Sequence, residues 1–288
     1  MKRILKTMAA LTFFLCSTSL LSAEEETPAA PESPTTILFI GNSFTYYNNL
    51  DKTVEDMLNV SGTPTQATRV APGGWRFHQH FKDAVPEKWT KPGAATLLKS
   101  QKWDYVVMQE YSSGAVVDYE TFIEYGQKLA ELARVNSPDV KIILYETWGR
   151  CDGMLEGYGD DEARRAEIID AWIKRYSAPN DATTERLRYG LRGGYLDLQK
   201  KIDSLLAPVG DAFAVVGDRV NLFCDEGKNT PYHPNPWGTY LAGCVFYKTI
   251  TGKSPVGLFE RLKEAGKEYQ LEPAGAAFLE GVADEVVK

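Results

Sequence analysis

Ser43 stands in Ile37-Leu38-Phe39-Ile40-Gly41-Asn42-Ser43-Phe44-Thr45, on a tight turn just past an apolar run. A serine hydroxyl becomes a working nucleophile when a neighbouring base takes its proton, and imidazole has the right pKa for that near neutrality. Three histidines are present, His78, His80 and His233. His233 precedes Pro234-Asn235-Pro236, where Asn235 suits a helix cap and Pro236 the first helical position, so the imidazole is expected in a loop held against a helix start. His78 and His80 follow Gly73-Gly74-Trp75 and are expected as polar packing on the helix after the second strand, His80 being the one able to line a cleft instead. Position 45 is threonine, so the G-x-S-x-G elbow of the α/β-hydrolases is not present. Taken alone, Ser43 reads as a cap or turn serine; the residues that must gather around it decide whether it is a nucleophile.

The chain must therefore be large enough to bring distant loops together, and 288 residues suffice. Residues 1–23 read as a secretory signal: Lys2, Arg3 and Lys6 precede the apolar run Met8 to Leu21, and Leu21-Ser22-Ala23 offers a small-residue cleavage site. The run is short for a membrane span of ~20 residues. Cys16 lacks the small residue expected before a lipid-modified cysteine, so no membrane anchor is expected after cleavage. Residues 24–35 are acidic and rich in Pro and Ala, as in a solvated linker. One folded domain over residues 36–288 is expected, and the protein is expected to be periplasmic or secreted.

Lys and Arg number 32 and Asp and Glu 39; without the three leader cations the balance is 29 against 39, a net charge near −10. Such a surface repels phosphate backbones, which argues against a nucleic-acid partner. No Cys/His spacing resembles a metal site, so neither metal nor other cofactor is expected. Cys151, Cys224 and Cys244 would outlast the leader, permitting one bridge with a thiol left over, or three buried unpaired cysteines. Oligomeric state is open.

Short apolar runs alternate with longer helical patterns, the rhythm of a parallel sheet with crossover helices. Strands are predicted at Ile37 to Ile40, Gln66 to Val70, Tyr105 to Met108, Val140 to Tyr145 and Ala212 to Val216. Phe122, Tyr125, Leu129 and Leu132 recur at helical spacing, and a last helix is predicted over Ala274 to Val287. The stretch Asp160 to Leu206 reads as helix-rich, broken at Pro179-Asn180 and at Gly193-Gly194. In such α/β folds ligands bind outside the carboxyl ends of the strands. Ser43, Gly73-Gly74, Gln109, Trp148 and His233 all belong to that end.

The ordered blocks "FIGNSFT", "PGGW", "DYVVMQEYSS" and "YHPNPWGTYLAGCVFY" resemble the SGNH/GDSL hydrolase superfamily, in particular a subgroup with G-N-S-F-T, a Gly-Gly second block and glutamine at the end of strand three. The resemblance spans Ile37 to Tyr247. It implies a flavodoxin-like three-layer α/β/α domain with a five-stranded parallel sheet in order 2-1-3-4-5, and ester hydrolysis without a metal. It implies Ser43 as nucleophile, His233 as base, and an oxyanion hole from the N–H groups of Ser43 and Gly74, with Gly73 as the fallback for the second. The usual Gly-x-Asn of the third block is missing, and Gln109 is the expected replacement donor. The usual acid three residues before the histidine is Thr230 here; Asp225, eight before, is the expected triad acid, with Glu226 and Asp218 also in reach, or else the site is a dyad.

Tyr46, Tyr47, Trp75, Tyr111, Trp148, Tyr232 and Trp237 crowd these loops. Flat rings with a polar tip stack on sugar faces, so Trp75, Tyr111 and Trp148 are expected at a saccharide or small-molecule ester, or else as rings that roof a cleft. The expected activity is hydrolysis of small acyl, notably acetyl, esters. The alternatives are a lipase or thioesterase on longer chains, or a non-catalytic glycan-binding protein.

Overall fold

The computed structural model describes residues 33–83, 91–112, 114–148, 184–224 and 233–288. Five parallel strands form one sheet: β1 (Thr35–Ile40), β2 (Thr65–Val70), β3 (Tyr105–Met108), β4 (Lys141–Tyr145) and β5 (Leu205–Ala207), in the order β2-β1-β3-β4-β5. β1 lies second in this row and is paired on both edges, so an alternating inside-outside pattern would fail. Ile37, Leu38, Phe39 and Ile40 are all completely buried. A strand covered on both faces must be apolar throughout, and each such side chain contributes about 1.5–3 kcal/mol when withdrawn from water.

The two faces carry separate helical layers. On one, Ile37, Phe39, Val107, Ile143 and Tyr145 pack against α2 (Leu50–Val60), α8 (Val209–Val216), α9 (Pro236–Thr251), α10 (Leu258–Glu264) and α11 (Pro273–Val286). On the other, Leu38, Ile40, Val106, Met108, Ile142 and Leu144 meet α3 (Phe77–Lys82), α4 (Ala94–Ser100), α6 (Tyr119–Asn136) and α7 (Thr184–Ile202). This is the expected three-layer α/β/α sandwich. The four-residue helices α1 (Ser43–Tyr46) and α5 (Gly114–Val117) lie beyond the ends of β1 and β3.

Two elements differ from the sequence expectation. The fifth strand is Leu205–Ala207, while Ala212 to Val216, predicted as that strand, falls in α8. The apolar run had hidden a helical period: Val209, Ala212, Phe213 and Val216 are buried at intervals of three and four. The predicted break at Gly193-Gly194 is also absent, for α7 runs through it. A Cβ on Gly194 would come within 2.8 Å of the Ala115 carbonyl oxygen, so the glycine serves close packing of α7 on α5. Pro179-Asn180 lies outside the described residues, as do the predicted signal and most of the linker.

Gly194→Val should therefore lower unfolding free energy by about 1–3 kcal/mol through overpacking, measured by denaturant titration; an unchanged midpoint would mean that α5 yields freely.

Candidate active site

The strand order reverses between β1 and β3, and the turn bearing Ser43 follows β1 there. Asn42 caps α1: its side-chain oxygen accepts the Phe44 N–H at 3.2 Å and its carbonyl accepts from Thr45 and Tyr46. Ser43 is thus the first helical residue, partly exposed, with its neighbour Phe44 buried.

Gln109, wholly buried at the end of β3, reads this turn from beneath. Its Oε1 accepts the Asn42 backbone N–H at 3.0 Å and the Thr45 hydroxyl at 2.9 Å, while Nε2 donates to Asn42 Oδ1 at 3.0 Å and to the Glu110 carbonyl. The backbone N–H fixes which end of the amide is oxygen. Both amide hydrogens are spent inside the protein, so Gln109, expected as an oxyanion donor, instead locks the serine turn. Gly41 makes room for it, since a Cβ there would lie 2.6 Å from Gln109 Oε1 and still closer to the Thr45 hydroxyl.

Gly73 and Gly74 form the turn after β2, closed by a hydrogen bond from the Trp75 N–H to the Pro72 carbonyl at 3.2 Å. Gly74 has φ +71°, the left-handed value that the third position of a type II turn requires. This turn is tied to the first by Asn42 Nδ2, which donates to the Trp75 carbonyl at 2.9 Å. The N–H groups of Ser43 and Gly74 donate to no other described residue. Unspent backbone donors on two turns tied to each other, one of them bearing the serine, suit a developing oxyanion.

His80 supports the same region from inside. Fully buried, it donates from Nε2 to the Gly41 carbonyl at 2.8 Å, which requires the tautomer with hydrogen on Nε2 and leaves buried Nδ1 without a partner among the described residues. Burial outweighs the carbonyl bond and pushes its pKa down to about 4. Through that bond it anchors the turn from inside the protein.

His233 reaches Ser43's helix from the loop before α9, where Asn235 Oδ1 accepts the Trp237 and Gly238 N–H groups at 2.9 and 3.1 Å as the sequence predicts. Its ring lies parallel to Tyr47 at 4.1 Å between centroids and edge-on to Phe44 at 6.0 Å. Asn48 fastens the loop, donating from Nδ2 to the Pro234 carbonyl at 2.8 Å and to the Thr239 hydroxyl at 2.9 Å. Asn48 and Asn49 both adopt positive φ, 49° and 55°, which asparagine tolerates better than most residues. No hydrogen bond joins the Ser43 hydroxyl to a described residue, His233 included. Serine and histidine are brought to the same edge without being joined. Asp225, Glu226 and Tyr232 lie outside the described residues; Asp218 lies in the 3-10 turn after α8.

The aromatic residues divide. Trp148, expected to face substrate, has both ring faces covered, by Phe44 at 4.6 Å and by Phe213 at 4.1 Å. Trp75 is also buried, its ring 5.0 Å from His80. Neither offers a face to a sugar; they build the floor. Tyr111 remains partly exposed with the Arg76 guanidinium 4.9 Å from its ring, and Tyr46 is exposed at the lip opposite Gly73.

Two buried carboxylates went unnoticed in the sequence. Glu110 accepts the Phe77 N–H at 2.7 Å, and Glu146, after β4, pairs with Arg192 at 2.7 Å. Glu146 directly follows β4 and Glu110 lies two residues past β3, at the end of the sheet where the candidate residues gather, which is their only sequence signal. Cys244 is a buried thiol. Among the described residues no cluster of three or more His, Cys, Asp or Glu is arranged to hold a metal.

Solved structures share this architecture. A protein of Slackia heliotrinireducens classed with the SGNH hydrolases superposes with a TM-score of 0.56 at 21% identity, over 76% of this chain and 100% of its own. The fold is that of the SGNH hydrolases. A DUF4886 family protein from Bacteroides uniformis also superposes, with a TM-score of 0.59 at 15% identity over 88% of this chain and 95% of its own. No family model and no curated protein matches the chain. At these identities the likeness speaks for the SGNH fold, and the chemistry must be argued from the residues.

Two outcomes follow for the turn. Gln109→Ala orphans buried groups of Asn42 and Thr45 and should cost about 2–5 kcal/mol of stability, seen as a lowered denaturation midpoint; wild-type stability with lost turnover would instead make Gln109 a donor to the reaction. For His80, a folded pKa of about 4 against an ordinary 6.5 means that the unfolded chain takes up the proton first. Its contribution to stability is complete above about 6.5 and is lost as pH falls towards 4. His80→Gln, which can still donate to Gly41, should flatten that acid limb in midpoint-against-pH curves.

Proposed function

We propose that the protein is a serine esterase that removes small acyl groups, notably acetyl, from a carbohydrate. The observation that carries this is the pair of unspent N–H donors, Ser43 and Gly74, on two cross-tied turns beyond the carboxyl ends of β1 and β2, with the His233 ring held against the serine's helix. Ser43 Oγ attacks the ester carbonyl while His233 takes its proton. The oxygen that becomes negative accepts from the two N–H groups. Collapse expels the sugar alcohol with the proton from His233, leaving an acyl-serine that water cleaves by the same steps. Asp225 is the proposed carboxylate on the second imidazole nitrogen, keeping the tautomer that this transfer needs.

Small acyl groups are favoured because Phe44, Trp148 and Phe213 stack on one another beside the serine and fill that apolar space themselves. A sugar is favoured by Tyr46, exposed beside Gly73, and by the partly exposed Tyr111, which take over the stacking role expected of Trp75 and Trp148. Net acidity suits a neutral saccharide better than a polyanion. The leader-like residues 1–23 support a periplasmic or secreted setting. The locked amide of Gln109 favours a second reading, a glycan-binding protein on a hydrolase fold.

Ser43→Ala decides between them. An activated acetate ester should be turned over faster than the octanoate by the wild type, with at least a ~1000-fold loss in the variant, and a phosphonate should add its mass to Ser43. Equal slow hydrolysis by both proteins would leave the binding reading.

A further inference from the structure

Glu110 follows Gln109 just past the carboxyl end of β3, is 3% exposed, and performs for the glycine turn what Gln109 performs for the serine turn. Its Oε2 accepts the N–H of Phe77, the first residue of α3, at 2.7 Å. Phe77 continues directly from Gly73-Gly74-Trp75-Arg76, whose Trp75 carbonyl is held by Asn42. The side chain enters this position only because residue 114 is glycine, where a Cβ would stand 2.5 Å from Glu110 Cγ. Its backbone is pinned as well: the Glu110 N–H donates to the Tyr195 hydroxyl at 3.4 Å and its carbonyl accepts from Gln109 Nε2. A carboxylate this deep is costly to ionise, and a bond to the Phe77 N–H could be made by an uncharged amide.

We propose that Glu110 is a positioning residue of the acyl-transfer site, its carboxylate clamping the Gly73-Gly74 turn through the Phe77 N–H so that the Gly74 donor is held against the Ser43 donor. The proposal rests on the esterase reading. One dipeptide, Gln109-Glu110, then sets both halves of the oxyanion site from a single strand end.

The clamp responds to pH. Burial pushes the Glu110 carboxyl up to about 7, against the opposing pull of the Phe77 and Tyr111 N–H groups and of Arg76. The other groups around it are Asp118, which pairs with Arg76 at 3.0 Å and raises the value further; Tyr195 from α7, with Glu146 beyond it; and His78 and His80 on α3, whose own pKa values are pulled below the ordinary one. The ionised carboxylate makes the stronger, charge-assisted bond, so the clamp tightens as pH rises through about 7. For stability the sign is opposite. A folded pKa above the ordinary 4.5 means that the folded state holds its proton longer, so stability falls as pH rises from about 4.5 through about 7.

Glu110→Gln separates these effects. Because ionised Glu110 holds the donor more firmly while the base must also be neutral, log kcat of the wild type on the acetate ester should rise more steeply on the acid side of about 7 than that of Glu110→Gln, which keeps only the slope of one from the base. At pH 8 the variant should lose about tenfold in kcat, part of what removal of an oxyanion donor costs, with KM within about twofold and a melting temperature equal to or above that of the wild type. Glu110→Asp, which keeps the charge, should regain the steeper slope. Wild-type rate and slope in Glu110→Gln would overturn the proposal, and so would a fall in melting temperature that tracks the lost activity. Failure of the esterase reading is read separately, from Ser43→Ala matching the wild type.

Discussion

Everything at the site depends on one buried amide meeting one backbone turn. Gln109 has four hydrogen-bonding valences directed at Asn42, Thr45 and its own neighbour, and the turn after β1 takes its shape by answering them. A turn that must present a hydroxyl to solvent cannot also be buried in apolar packing, so it needs a polar template below. A glutamine in a dry setting supplies this with high geometric selectivity, because any slip of the turn strands a buried donor or acceptor. Gly41 is the corollary: two polar side chains approach its backbone where a methyl group would stand.

The remaining pieces are attached to that template by different physics. The glycine turn is tied through Asn42 and by ordinary polar bonds, whereas the histidine is brought in by packing. His233 rides on Tyr47 and against Phe44, and Phe44 belongs to the aromatic stack that continues through Trp148 to Phe213. A stack of this kind links β1, β4 and α8 in one apolar block, so serine and histidine share a support although 190 residues separate them. Two buried titratable groups flank the turns with opposite consequences. His80 resists its proton and Glu110 retains one, so between pH about 4.5 and 6.5 their effects on stability oppose each other while their effects on the site remain distinct.

Much of the scaffold was legible because it rests on local rules. The four-residue apolar run of β1, the Asn235-Pro236 helix start and the three-four spacing of α6 each carry a signal within a few residues, and all three stand as read. Ala212 to Val216 misled because a short run of small apolar residues satisfies both periods; only the wider interval from Val209 to Val216 betrays the helix. Gly193-Gly194 misled for the opposite reason, since glycine breaks an isolated helix but permits close contact when a neighbour presses on it.

What the sequence determined by itself was the fold class, the order of the blocks, and which end of the sheet would hold Ser43, Gly74, Gln109 and His233. The parallel α/β class follows from alternating apolar periods, the order of the blocks from the resemblance they carry, and the end of the sheet from the rule that loops at the strands' carboxyl ends converge. What only the tertiary structure decided was the part each group plays: Gln109 as lock, His80 as anchor, Trp75 and Trp148 as floor, Glu110 as a buried carboxylate on the glycine turn. The physical reason is that a side chain's chemistry is set by which of its hydrogen bonds and ring faces are already taken, and those partners come from segments tens of residues away.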